Sequence, residues 1–319
     1  MPPKRIDVHA HFLPSFYRKA LIVAGHDRPD GMAGIPGWCE EQALEMMGRL
    51  QITSALLSIS SPGVHFGDNR AAQTLARQVN EEAARLHDAH PERFGWFATT
   101  PLPDVKSAID EACFALDTLR ADGIGVQSNH HGMYMGDARL DPFYSALNER
   151  NAVMFIHPTS PCCTGCSSVG LGYPRPMLEF MFETTRTITH LILSGVTMRF
   201  PNIRIIVPHA GAALPVLANR VDLMISLFEA RAPDKRPSVH AELRKLYFDL
   251  AGAPLPELLH ALFRVADPDH IFYGSDWPFT PTMACVKLAE MLDTQISQND
   301  ELLDSLMIGN AQKLFPRFA

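Results

Sequence analysis

Lysine and arginine number 28, and aspartate and glutamate 35, in this chain of 319 residues, so its formal net charge is −7. Charges of both signs are interleaved without a basic block, which argues against nucleic acid as a partner. No apolar run is long enough to span a bilayer and the N-terminus lacks a secretory signal, so we expect a cytoplasmic protein without a membrane partner.

Eight short apolar runs, rich in β-branched and aromatic residues, alternate with longer helical patterns along the whole chain. Several runs are almost continuously apolar, which is typical of parallel strands that are covered on both faces. The predicted strands are residues 6–12, 54–60, 93–102, 123–129, 153–159, 203–211, 246–252 and 270–278.

Alternation of strand and helix predicts a parallel sheet, and eight repeats of it predict a closed (β/α)8 TIM-type barrel. A doubly wound open sheet is the alternative fold. The chain has neither a GxGxxG nor a GxxxxGK[ST] phosphate loop, which favours the barrel.

Two segments depart from a minimal barrel. Residues 13–37, rich in glycine and proline, predict an inserted loop that covers the barrel mouth after the first strand. The segment DELLDSLMIGNAQKLF near the C-terminus predicts an extra helix. We find no second domain, so residues 1–319 are expected to form a single metal-dependent barrel domain.

Histidine and aspartate side chains fall at the predicted carboxyl ends of four strands. They are His9, His11, His157, His209 and Asp276. Catalytic groups of this fold project from those strand ends, so these residues should meet at one mouth of the barrel.

The His9-x-His11 pair predicts a metal site, because strand residues two apart point to the same face. Two neutral imidazoles on one face can bind one cation. A third imidazole, from His157, and the Asp276 carboxylate would complete a mixed nitrogen and oxygen site.

Four segments, DVHAHF, FIHP, VPHAG and YGSDWPF, occur in the order found in the amidohydrolase superfamily. The chain resembles its decarboxylase branch, which includes 2-amino-3-carboxymuconate-6-semialdehyde decarboxylase and salicylate-type decarboxylases such as those acting on 6-methylsalicylate. This resemblance implies metal binding by His9, His11, His157 and Asp276, with His209 as an acid or base beside the metal.

The resemblance also bears on the number of metals. Binuclear members of the superfamily bridge two metals through a carboxylated lysine on the fourth strand. This chain has GVQSN there, and Gln127 cannot form a carbamate. We therefore expect one divalent metal ion, with Zn²⁺ expected first and Mn²⁺ as the alternative.

The implied function is that of a metal-dependent, non-oxidative decarboxylase (a carbon–carbon lyase). Its substrate would be a small aromatic or muconate-like carboxylic acid, in the first place a salicylate-type ortho-hydroxybenzoate. Asp276 would protonate the ring carbon, and His209 would orient Asp276 or pass it a proton. Relatives in this branch are commonly dimers, so a homodimer is expected.

Two alternatives use the same residues. A metal-dependent amidohydrolase or lactonase would hydrolyse a small cyclic or aromatic substrate. A non-catalytic scaffold should lack a ligand or the acid/base, whereas this chain retains the full set.

Several further residues could line the pocket. Arg28 in the cover loop could bind a substrate carboxylate through its planar guanidinium. Phe279 and Trp277 could stack on an aromatic ring, or only pack the mouth. His130 and His131 follow the fourth strand and could also face the pocket.

Three cysteines, Cys162, Cys163 and Cys166, crowd together after the fifth predicted strand. Free thiols or a disulfide are the expected states, because this spacing alone is weak evidence for a zinc site. We leave these cysteines outside the predicted site.

Overall fold

Eight strands form one parallel sheet in the computed structural model, which describes residues 2–162, 171–228, 237–297 and 299–319. Each strand pairs with the next in chain order, and at least one helix follows each strand. This architecture confirms the predicted (β/α)8 TIM-type barrel. The strands, β1 to β8, are Arg5–His11, Ile52–Ser58, Phe94–Thr99, Gly123–Gln127, Val153–His157, Arg204–Val207, Tyr247–Asp249 and Ile271–Phe272.

The last three strands are shorter than the sequence predicts. Strand β6 ends at Val207, and His209–Gly211 forms a 3-10 turn instead of continuing the strand as predicted. Regular pairing in β8 covers two residues, whereas 270–278 was the predicted range. The apolar composition of these segments reflects burial at the barrel mouth rather than regular strand geometry.

The barrel closes between its first and last strands. The backbone N–H of Val8 in β1 donates to the carbonyl of Tyr273, just beyond β8, at 3.1 Å. Gly274 follows, and a Cβ atom there would lie 2.9 Å from the Cβ of His9. Only glycine therefore permits this close approach of the two chain segments.

Helices surround the sheet and begin where the sequence places capping residues. The Asp68 and Asp104 side chains accept hydrogen bonds from the N–H groups of Ala71 and Ser107 at the starts of two of them. The helices, α1 to α13, are Ser15–Val23, Glu40–Arg49, Asn69–Ala89, Val105–Asp117, Asp141–Glu149, Glu179–Leu193, Val196–Arg199, Leu214–Phe228, Val239–Leu243, Glu257–Val265, Thr282–Ile296, Asp300–Asp304 and Asn310–Leu314.

The segment 13–37, predicted as a cover loop, is partly helical. It contains α1 and a short 3-10 turn at Pro29–Gly31. Tyr17 is buried, and its hydroxyl donates to the carbonyl of Gly63 beyond β2 at 2.8 Å. The cover segment is thereby joined to the loop after β2, and Tyr17 and Leu21 are part of the main hydrophobic core.

The opposite end of the barrel is closed by the predicted C-terminal helix. Helices α12 and α13 flank a π-helical turn at Ser305–Gly309. The side-chain amide of Asn310 donates to the carbonyl of Ile271 at 2.9 Å, and Leu314 and Phe315 pack against the apolar barrel interior. Within the described ranges, no helix is both long and apolar enough to traverse a membrane.

Candidate metal centre

His9 and His11 lie on the same side of β1 and are fully buried. Their Nε2 atoms are 3.1 Å apart. Since strand side chains alternate between faces, the His-x-His spacing brings the two imidazoles together, as the sequence predicts. The T-shaped arrangement of the rings, with centroids 4.9 Å apart, points both Nε2 atoms at a common region.

Asp276 and His157 complete the group. The Oδ1 atom of Asp276 lies 3.1 Å from Nε2 of His11 and 3.5 Å from Nε2 of His9. One ligand atom from each of the four residues lies within 4.8 Å of the other three. This set of three imidazole nitrogens and one carboxylate oxygen suits a divalent metal ion.

Each ligand histidine is oriented through its other ring nitrogen. Nδ1 of His9 is 2.9 Å from Oδ2 of Asp249, and Nδ1 of His157 is 2.7 Å from the carbonyl of Pro158. Nδ1 of His11 lies 2.9 Å from the hydroxyl of Ser58. A proton on each Nδ1 leaves the Nε2 lone pairs free to converge on one cation, which is how metal-binding histidines are usually held.

The protonation states agree with a cation at this point. Burial alone would lower the pKa of His9, but the charge and hydrogen bond of Asp249 outweigh it and raise that pKa to about 9. Burial and the neighbouring histidines hold the pKa of His157 well below its usual value. Burial would raise the pKa of Asp276, yet its hydrogen bond with His11 and the charge of His9 lower it. Burial also lowers the pKa of His11. His11, His157 and Asp276 therefore have no ionisable proton to lose when a metal binds, whereas His9 carries one that the metal would displace.

His209 lies beside this group at the start of the turn after β6. Its backbone N–H donates to Oδ1 of Asp249 at 3.0 Å, and its ring centroid is 5.1 Å from that of His9. Burial lowers its pKa to about 4, so the imidazole is neutral at pH 7. Its Nδ1 is buried and has no hydrogen-bond partner among the described residues. The structure shows no hydrogen bond between the ring of His209 and Asp276. No contact therefore supports the prediction that His209 orients Asp276 directly.

Both His209 and Asp276 have left-handed backbones, with φ of 55° and 59°. Such values are uncommon for residues other than glycine, and they recur where a functional side chain is held in one direction. Asp249, which contacts both His9 and His209, is not among the residues that the sequence predicts for the site. The one available signal was an acidic residue within the apolar strand LYFDLAG.

A cavity of about 340 Å³ opens beside the four ligands, and we call it the metal cavity. Its volume is within the range of small-molecule sites. Polar groups lie near the ligands, and methionine, leucine, proline and aromatic side chains form much of the rest. The lining residues are Pro29, Asp30, Met32, Ser60, His157, Pro176, Met177, Phe180, Met181, His209, Ala251, Gly252, Ala253, Leu258, Asp276, Phe279 and Thr280.

The remaining candidate residues differ in whether they line the metal cavity. Phe279 lines the metal cavity, with its ring centroid 5.5 Å from that of His11. Arg28 is exposed and is not part of the lining, so its role in substrate binding stays a prediction. Trp277 is buried and its indole N–H donates to Thr282, which indicates packing rather than substrate contact.

His130 and His131 do not face the metal cavity. They line a second cavity of about 280 Å³ at the ends of β2 to β5, together with His26 and His65. We call it the second cavity. Cys162 also lines it and is a free thiol, whereas Cys163 and Cys166 lie outside the described residues.

Comparison with known proteins places the chain among related sequences. A family model described as amidohydrolase matches residues 6–317. The chain is 38% identical to the decarboxylase yanB of Aspergillus niger over 98% of its own length and 88% of that protein. It is 36% identical to the 6-methylsalicylic acid decarboxylase of Penicillium expansum, over 98% of this chain and 96% of the relative.

Solved structures are similar over the same length. A crystal structure of an amidohydrolase II shares 32% identity with a TM-score of 0.92, covering 98% of this chain and 100% of that one. The 5-carboxyvanillate decarboxylase of Novosphingobium aromaticivorans, solved with manganese and 4-hydroxy-3-methoxy-5-nitrobenzoic acid, superimposes with a TM-score of 0.87. At 23% identity, with 98% and 96% of the two chains covered, that likeness concerns the fold alone.

Proposed function

Because this chain belongs to the amidohydrolase family and to its decarboxylase branch, we propose that it is a metal-dependent, non-oxidative decarboxylase of ortho-hydroxybenzoates such as 6-methylsalicylate. The observation that carries the proposal is the convergence of His9, His11, His157 and Asp276 beside a partly apolar cavity. The match to fungal decarboxylases over nearly the whole chain favours decarboxylation over the hydrolysis that the site residues alone leave open.

The four residues hold one divalent metal ion, for which we propose Zn²⁺, with Mn²⁺ as the alternative. Three imidazole nitrogens and one carboxylate oxygen suit either ion, and a structural relative was solved with manganese. When bound, the metal supplies positive charge that orients and polarises the hydroxyl and carboxylate oxygens of the substrate.

The residues of the chain would move the proton. Decarboxylation forms a bond between the ring carbon and a proton and breaks the bond between that carbon and the carboxylate, which leaves as carbon dioxide. Asp276 is ionised in the free site, so we propose that it first takes the proton of the substrate hydroxyl and then donates it to the ring carbon. Its second oxygen accepts a hydrogen bond from the hydroxyl of Thr280 at 3.1 Å. The phenolate that remains after carbon dioxide has left is reprotonated from solvent. His209, neutral and with a free Nδ1, is positioned to return a proton to this part of the cavity.

Apolar side chains would hold the ring and exclude water. Phe180 and Phe279 provide aromatic surface, and Met177 and Leu258 provide flexible apolar contact for a ring substituent such as a methyl group. The binding of substrate by Phe279, the homodimer and the cytoplasmic location stay predictions.

Metal analysis and carbon dioxide release, measured on one purified sample with a panel of ortho-hydroxybenzoates, test the proposal. We expect about one metal ion per chain and stoichiometric carbon dioxide from at least one member of the panel. One metal ion without carbon dioxide release would contradict the proposed decarboxylase, and absence of metal after reconstitution would contradict the site itself.

A further inference from the structure

One carboxylate in the wall of the metal cavity has no part in the mechanism described above. The 3-10 turn of the cover segment brings Asp30 into this wall. Its backbone is left-handed, with φ of 55°, a conformation that aspartate tolerates better than most residues. The residue is half-buried, and its side chain contacts the loop after β5.

Hydrogen bonds fix Asp30 in this position. Its Oδ1 accepts from the backbone N–H of Ser160 at 3.2 Å and from the hydroxyl of Ser160 at 2.6 Å. The hydroxyl of Ser61 is a further hydrogen-bond partner, and it lies 2.6 Å from the hydroxyl of Thr159. These bonds join the cover segment to the loops after β2 and β5.

The partners of Asp30 suit an ionised carboxylate. A backbone N–H and two hydroxyl groups can all donate to it, and a carboxylate offers only acceptors. Burial raises the pKa of Asp30 above its usual value, and the hydrogen bonds from Ser160 and Ser61 offset only part of that rise. The charge of His26, which lines the second cavity, also lowers this pKa.

Among the described residues that line the metal cavity, none is a lysine or arginine that could balance the charge of Asp30. The two histidines of the lining are His157, one of the four proposed metal ligands, and His209. The carboxylate of Asp276 faces the metal ligands.

From this charge distribution we propose that Asp30 is a specificity-determining residue, which restricts the cavity to substrates with a single carboxylate. The inference rests on the proposed function. One substrate carboxylate is matched by the metal, whereas a second anionic substituent would meet a wall whose described residues include the Asp30 carboxylate and no lysine or arginine. Neutral substituents meet no such repulsion and fit the apolar part of the wall, which includes Met32 and Leu258.

The test compares salicylates that differ in charge and not in shape. One set carries a second carboxylate at ring position 4, 5 or 6, the last being 3-hydroxyphthalate, and the matched set carries a neutral carboxamide at the same position. We expect the wild-type enzyme to favour each carboxamide in kcat/KM. In Asp30→Asn, kcat/KM for the dicarboxylates should rise about tenfold relative to the carboxamides, which is about 1.4 kcal/mol.

The control variant is Asp27→Asn, which removes the same charge from an exposed position of the cover segment. It should leave the ratio of carboxylate to carboxamide unchanged. The asparagine at position 30 retains an oxygen that can accept from Ser160, so a change in the ratio reports charge rather than loss of the contact.

Two results would overturn the inference. One is a wild-type enzyme that uses dicarboxylates and carboxamides equally well. The other is an unchanged ratio in Asp30→Asn. If no compound is decarboxylated, the proposed function fails, and the same comparison is then made by calorimetric binding to the metal-loaded protein. A carboxamide preference that Asp30→Asn abolishes would still support the role of Asp30.

Discussion

The metal cavity and the second cavity lie at the same end of the barrel, and both are rich in histidine. In the first, the Nδ1 atoms of the ligand histidines are held by acceptors, so their Nε2 atoms meet at one point. In the second, the imidazoles are engaged with each other and with nearby polar groups. The direction of the ring nitrogens, more than the number of histidines, therefore defines a metal site.

The bonds of the second cavity illustrate this difference. Nδ1 of His65 lies 2.9 Å from Nε2 of His131, and Nε2 of His65 lies 2.8 Å from Oδ1 of Asn69. The Nε2 atom of His130 accepts from the backbone N–H of Gln127 at 3.3 Å. Across the described ranges of the chain, a cluster of metal-ligand geometry is found only at His9, His11, His157 and Asp276.

The largest expected effect is on metal content, and it distinguishes the metal cavity from the second cavity. His157→Ala removes one of the converging nitrogens and should weaken metal binding by more than about 100-fold, with loss of activity. His131→Ala, in the second cavity, should keep the wild-type metal content. Elemental analysis of both variants after dialysis measures this, and equal metal in His157→Ala and wild type would remove His157 from the ligands.

The next effect concerns catalysis without metal loss. His209→Ala should lower kcat by about 10²–10⁴-fold while metal content stays at the wild-type level, because its imidazole is proposed to move protons and lies outside the group of four ligands. His65→Ala, an imidazole of the second cavity, is the matched control. Steady-state carbon dioxide release gives kcat, and a fully active His209→Ala enzyme would refute the assigned role.

A smaller effect is expected from the residue that orients His9. Asp249→Asn keeps an oxygen near Nδ1 of His9 but removes the charge, and should reduce metal affinity about 10- to 100-fold. Asp222→Asn is the control, because Asp222 accepts from the backbone N–H of Val239 and lies outside the metal-cavity lining. Competition with a chelating dye measures affinity, and equal affinities in Asp249→Asn and wild type would be inconsistent with this role.

The smallest effect per step, about tenfold for each pH unit, is a pH dependence of metal binding. Without metal, the pKa of His9 is about 9, so its ring is protonated at pH 7 and must lose one proton when a metal binds. Apparent affinity should therefore rise about tenfold per pH unit toward pH 9 and then level off.

Calorimetry in buffers of different ionisation enthalpy should count about one proton released per metal at pH 7.5. In Asp249→Asn the release should fall, because the pKa of His9 returns toward its usual value. Equal proton release in both proteins would contradict the assignment of this proton to His9.

The sequence predicts the ligands on β1 and β5 well, because residues two apart on a strand share a face and strand ends share a barrel mouth. The sequence predicts too great a length for β8. The stretch before Asp276 is apolar because it lies where the barrel closes, and it is not part of regular strand pairing. The sequence indicates Arg28 as the residue of the cover segment that contacts substrate, whereas in the structure Asp30 lines the metal cavity. That choice depends on the contact between Asp30 and Ser160, 130 residues apart, which no local pattern contains.

Closure of the barrel between its two ends has a consequence for biosynthesis. His11 leaves the ribosome 265 residues before Asp276, its partner in the metal centre. The complete set of ligands therefore exists only after the last strand of the barrel has been synthesised. Nascent chains arrested before that strand should carry the histidines without retaining the ion.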